Sequence, residues 1–166
     1  MKKLFIALLV GCTAVMSAQT VSKKDEKFAK CAAKDGMLEV KLGQLAMANA
    51  SNADVKKHAA MMVEDHTKAN EELKTVAAKK NIALPTTLTE KQQKKYDKMA
   101  KLQGKDFDKH YSKCMVKDHK KAVCLFKKES KKGKDSDLKS WAAAKLPTLK
   151  QHKEMWEETC KAVKRA

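Results

Sequence analysis

Three histidines of this chain fall where histidine is least expected, on the apolar stripes of amphipathic segments: His66, His119 and His152. Each has a methionine about one helical turn away, Met62, Met115 and Met155 respectively. Glu39 borders the inward face of another periodic segment, and Asp118 stands at the place that the pattern makes its equivalent in the second half. Gathered in one core, Glu39, His66, His119 and His152 would offer ligands to a transition metal, with the neighbouring thioethers and thiols favouring copper. The same imidazoles and acids could move protons, but no nucleophile, glycine-rich loop or substrate cleft is legible, so an enzyme is not expected. A structural role competes with both. Asp65–His66 and Asp118–His119 are sequence neighbours, and an interior histidine can pair with a buried acid or the backbone to fix helix register. Methionine on a helical stripe is also ordinary core filling.

A di-iron carboxylate centre is not expected, because it needs a glutamate three residues before a histidine on two helices. Those places hold Val63 before His66 and Leu149 before His152. His58 and His110 have no partner ligand: across an internal repeat His58 is matched with Trp141 and His110 with Cys31, which suits surface or packing roles. Trp141 and Trp156 read as anchors of the last helix.

That repeat defines the elements that must position these groups. Asp54-Val55-Lys56-Lys57-His58-Ala59-Ala60 returns as Asp137-Leu138-Lys139-Ser140-Trp141-Ala142-Ala143, and Phe28 and Phe107 each lead an apolar-periodic stretch toward one copy. Two copies of a helix pair predict a pseudo-twofold bundle of four helices. Five glycines, two prolines and abundant Ala, Lys, Leu and Glu in 166 residues support an all-α chain with one core, over residues 22–164. The first helix is expected from Ser22 to Asn49, with Phe28, Cys31, Asp35, Leu38, Leu42 and Leu45 inward. Ser51 and Asp54 resemble a capping box opening the second, and Thr87 and Glu90 another opening a short polar crossover helix that Gly104 stops. The third long helix spans about Asp106 to Lys131, and Asp135 or Ser136 caps the fourth, which Pro147 should kink. The long link between the second and third long helices can run back along the bundle, the connection that makes the two hairpins equivalent.

The amino terminus reads as an export signal over residues 1–18: Lys2-Lys3, the apolar run Leu4 to Val10, and small residues ending at Ala18. A rival reading is Leu9-Val10-Gly11-Cys12, a lipobox that would lipidate Cys12. After cleavage four cysteines remain, and an oxidising compartment makes the disulfides Cys31–Cys124 and Cys114–Cys160 the expectation, with free thiols or metal ligands as alternatives. The formal charge of +17 comes almost wholly from lysine, Arg165 being the single arginine. Arginine's planar fork dominates base and phosphate readout, so specific nucleic-acid binding is not expected. Attraction to an anionic membrane or polysaccharide surface is the alternative to simple solvation of the helix faces.

The segments Gly36-Met37-Leu38-Glu39-Val40-Lys41-Leu42-Gly43, Met62-Val63-Glu64-Asp65-His66-Thr67-Lys68-Ala69-Asn70, Asp106-Phe107-Asp108, Asp118-His119-Lys120 and Leu146-Pro147-Thr148-Leu149-Lys150-Gln151-His152 closely resemble the bacterial envelope family called domain of unknown function 4142. The resemblance runs from about Glu26 to Ala162. It implies a ferritin-like four-helix bundle, secreted or lipid-anchored in the periplasm or cell envelope, with Glu39, His66, His119 and His152 as recurring polar positions. It also raises the metal reading, since some similar envelope domains bind copper through His and Met. The first expectation is therefore an exported, non-enzymatic envelope protein with a role in stress tolerance. A periplasmic copper binder and a lysine-rich adhesin for anionic surfaces are the alternatives.

Overall fold

The computed structural model describes residues 20–165, so the leader, its cleavage after Ala18 and the lipobox at Cys12 lie outside it. Five helices follow in order: α1 Lys23–Asn49, α2 Ala53–Lys79, α3 Glu90–Ala100, α4 Gly104–Lys132 and α5 Ser136–Arg165. One hairpin is α1 with α2 and the other α4 with α5; α1 packs on α4, and α2 on α5. The short α3 crosses over α1 and α4, which gives the crossover connection of a ferritin-like bundle.

One device builds both hairpin turns. Asp25 of α1 accepts the amides of Lys134 and Asp135 at 3.0 and 2.8 Å, holding the α4–α5 turn. Asp108 of α4 does the same for the α1–α2 turn, accepting the amides of Ser51 and Asn52 and the Ser51 hydroxyl. Each turn then caps the next helix. Asn52 accepts from Asp54 and Val55, and Asp135 accepts from Asp137 and Leu138. Asp25 and Asp108 are separated along the chain by the same number of residues as Asp54 and Asp137, so the repeat keeps one register through both hairpins. Two correspondences expected from sequence are corrected by it. The counterpart of Cys31 is Cys114, not His110, and Asp118 answers to Asp35, not to Glu39.

Asp108 is 2% exposed and serves three donors of the α1–α2 turn, the Ser51 and Asn52 amides and the Ser51 hydroxyl. Asp108→Ala is therefore expected to lower unfolding free energy by about 2–4 kcal/mol in urea titration, with Asp108→Asn recovering part of it. An unchanged midpoint would remove the turn from the folding account.

Local signals shifted rather than failed. The capping box of α3 is Thr89 with Gln92, not Thr87 with Glu90, and Ser51 is recruited by Asp108 while Asn52 caps α2. Helix α2 ends in a Schellman motif, with Asn81 left-handed at φ 54 and the Ile82 amide donating to Ala77. Gly104, at φ 56, opens α4 instead of stopping α3. Helix α5 continues through Pro147.

The interior is two apolar clusters with a polar layer between them. Leu42, Met62, Tyr111, Met115 and Trp156 belong to one, and Phe28, Leu73, Phe126, Leu138 and Trp141 to the other. Glu39, His66, His119 and His152 occupy the layer, each buried.

Candidate metal centre

Each long helix contributes one group to this layer: Glu39 from α1, His66 from α2, His119 from α4 and His152 from α5. The three imidazoles form a near-equilateral cluster, with ring centroids 5.7, 5.6 and 5.4 Å apart. One nitrogen of every ring is tied down from behind. His66 Nδ1 faces Glu39 Oε2 at 3.0 Å. His119 Nδ1 donates to the Met115 carbonyl at 3.0 Å, with Glu39 Oε1 at 3.7 Å. His152 Nε2 donates to Asp65 Oδ2 at 2.9 Å.

The other nitrogens, His66 Nε2, His119 Nε2 and His152 Nδ1, are buried with no hydrogen-bond partner among the described residues. A buried polar atom left unpaired costs about 1–3 kcal/mol, so three at one point demand an explanation. One ligand atom from each ring lies within 4.8 Å of the others. Imidazoles so close can share a single ion, whose bonds to nitrogen are about 2.0–2.1 Å, with the rings drawing slightly inward. Tying the far nitrogen to a carboxylate or carbonyl sets the tautomer that such an ion requires.

Glu39 thus stands behind two ligand rings and not among the converging atoms. Burial alone would raise its carboxyl, but His66 and then His119 draw it down to about 2. Burial lowers His66 while Glu39 raises it further, for a net increase. Burial, then His66 and His119, hold His152 down at about 4 despite Asp65. Asp65 went unrecognised as a partner of His152. Its neighbour in sequence is His66, but adjacent helical residues point to different sides, so Asp65 reaches the next helix instead.

The remaining candidates lie elsewhere. Asp118 pairs with Lys95 on α3 and accepts from the Cys114 thiol at 3.5 Å. His58 Nδ1 meets Thr159 Oγ1 at 2.9 Å, and His110 Nδ1 meets the Asp106 carbonyl at 2.9 Å. Neither expected disulfide is formed. Cys31, Cys114, Cys124 and Cys160 are free thiols, with Cys124 on the exposed face of α4 and Cys160 buried under α5. Burial and Asp118 push the Cys114 thiol up to about 11, which keeps it protonated and unreactive at neutral pH. Met62, Met115 and Met155 all pack with the apolar cluster on one side of the imidazole layer.

These helices and the polar layer between their apolar clusters define a four-helix bundle of ferritin-like type. The chain belongs to the family described as a domain of unknown function, DUF4142, whose family model matches residues 10–159. No curated protein matches it significantly. Two solved structures share the fold. One is a DUF305 fragment from Deinococcus radiodurans, with a TM-score of 0.74 at 8% identity, over 88% of this chain and 99% of that one. The other is CopM in the Cu(I)-bound form, with a TM-score of 0.67 at 14% identity, over 81% of this chain and 93% of that one.

Proposed function

We propose that this protein binds a transition-metal ion, copper first among them, between His66, His119 and His152, and acts as a metal carrier of the cell envelope. The observation that carries the reading is the meeting of three buried rings, each with one unpartnered nitrogen and able to offer ligand atoms within 4.8 Å of one another. Imidazole suits copper, zinc, iron and nickel, and intrinsic affinity peaks at Cu(II) in the divalent series. The bundle it shares with CopM, a protein solved with Cu(I), adds support at the level of the fold. When bound, the ion would carry the redox or transfer chemistry. The chain's own part is to hold three neutral rings in fixed tautomers through Glu39, the Met115 carbonyl and Asp65, and to exclude water by burial.

Ligand binding to the native state alone stabilises it by about 4 kcal/mol at a thousandfold excess over Kd. For a domain of this size that raises Tm by about 8–16 °C. Copper added to metal-free protein, purified without an affinity tag, is expected to produce that shift with one ion retained per chain after gel filtration. No shift and no retained ion would sink the reading.

A further inference from the structure

The positive charge of this bundle gathers on one side. Helix α4 carries ten lysines against four acids, and α3, which crosses it, carries four against two. Two of the α4 acids, Asp108 and Glu129, are buried and add nothing to the outer face. Helix α2, diagonal to α4 in the bundle, carries five of each sign. Between α3 and the α1–α4 pair runs a groove of about 1360 Å³. Small-molecule pockets hold roughly 300–1,000 Å³, so the size suits a length of polymer.

Eight lysines and four acids line this groove, and most of the acids are already answered. Glu90 pairs with Lys94, Asp118 with Lys95 and more distantly Lys121, and Glu39 with His66 in the imidazole layer. Asp35 accepts from the Gln92 carboxamide and is the single acid of the groove with no ion pair among the described residues. Against it stand five lysines with no ion pair among those residues: Lys34, Lys91, Lys98, Lys113 and Lys117. Lys113, Lys117 and Lys121 recur at every fourth residue, a row with one charge about every 6 Å along α4. Lys91, Lys94 or Lys95, and Lys98 make a similar row on α3. Two rows of regularly spaced charge match a ligand that repeats its own charge along a chain.

The lining also decides which chain. No Phe, Tyr or Trp faces the groove and no arginine lines it, so bases would find neither a stacking platform nor a planar fork. A flat lipid surface would meet the outer rim and leave the recessed ammonium groups unmatched. Each ammonium has three donors, which can serve hydroxyls as well as carboxylates. We infer that the groove between α3 and the α1–α4 pair binds a linear anionic polysaccharide. The bundle then attaches by its α3–α4 side and leaves the electrically neutral α2 facing away.

Titration of the full folded chain with short polygalacturonate, followed by calorimetry at low ionic strength, tests this. Saturable binding is expected, weakening steadily with added salt as paired lysines release counterions. Exchanging Lys98, Lys113 and Lys117 together for glutamine should weaken it at least tenfold and flatten the salt dependence. Exchanging Lys56, Lys57 and Lys150, exposed lysines of α2 and α5, removes the same charge outside the groove and should cost less than threefold. Equal losses in the two triple variants would make net charge the cause and overturn the groove. So would absent binding at low salt, or tighter binding of phosphatidylglycerol vesicles, oligo-dT or polyglutamate than of polygalacturonate. The experiment needs no metal, so its outcome is separate from that of copper loading.

Discussion

Replacing His119 with alanine should weaken copper binding at least ~100-fold, because loss of a mere orienting partner already costs 10–100-fold at metal sites. His119 is fully buried, and its free nitrogen is one of only three that converge. The truncation also opens a void in the core, so about 1–3 kcal/mol of stability should go with it. His119→Gln separates the effects, since it fills most of the volume without an imidazole ligand. His110→Ala, on the exposed side of α4 with its ring on the Asp106 carbonyl, should leave both affinity and stability unchanged. Competition against a chromogenic chelator measures all three variants. Affinity within threefold of the parent for His119→Gln would place the ion elsewhere.

The second large effect is on pH. An ion needs the lone pair of His66 Nε2, and a proton competes for the same ring. Burial alone would make His66 harder to protonate, but the Glu39 carboxylate 3.0 Å from Nδ1 reverses this and raises its affinity for protons above the ordinary 6.5. Below that value each unit of falling pH should weaken copper about tenfold, so pH 6.5 to 4.5 should cost about 100-fold with one proton released per ion bound. His152, held down at about 4, adds a second proton only near the acid end. Glu39→Gln removes the negative charge, so its affinity should change far less over the same range. Parallel slopes for the parent and Glu39→Gln would show that another group carries the proton.

The same pair sets a window for the metal-free fold. Glu39, depressed to about 2, contributes stability that is present above its ordinary 4.5 and lost as pH falls toward 2. His66, raised, contributes fully below 6.5 and loses its share as pH climbs through its folded value. Their overlap places the largest contribution between about pH 4.5 and 6.5, where Glu39→Gln should destabilise the apo-protein most.

The histidine layer was legible because helical period alone puts His66, His119 and His152 on buried stripes, and the repeat said that those stripes face one interior. Which atoms meet there was not legible. Glu39 looked like a fourth ligand, since burial and type cannot distinguish a group that faces the ion from one that stands behind a ring. Asp65 pairs across a helix boundary, a relation without a sequence period. Phe28 and Phe107, taken as equivalent leads of the two halves, set Asp118 opposite Glu39. The aspartates that hold the turns, Asp25 and Asp108, fix a different register. The disulfide pairings asked for adjacency of faces, and level along the bundle says nothing about face.

The shared register also says what concatenating either hairpin with itself would make. Two copies of α1–α2 would keep one glutamate and one histidine at this layer, with the repeats of Gly36 and Ala69 standing where His119 and His152 now are. Two copies of α4–α5 would keep two histidines there, with the repeats of Ala122 and Leu149 in the places of Glu39 and His66. The cluster of three rings with a carboxylate behind two of them therefore belongs to neither hairpin alone and exists only because the halves differ.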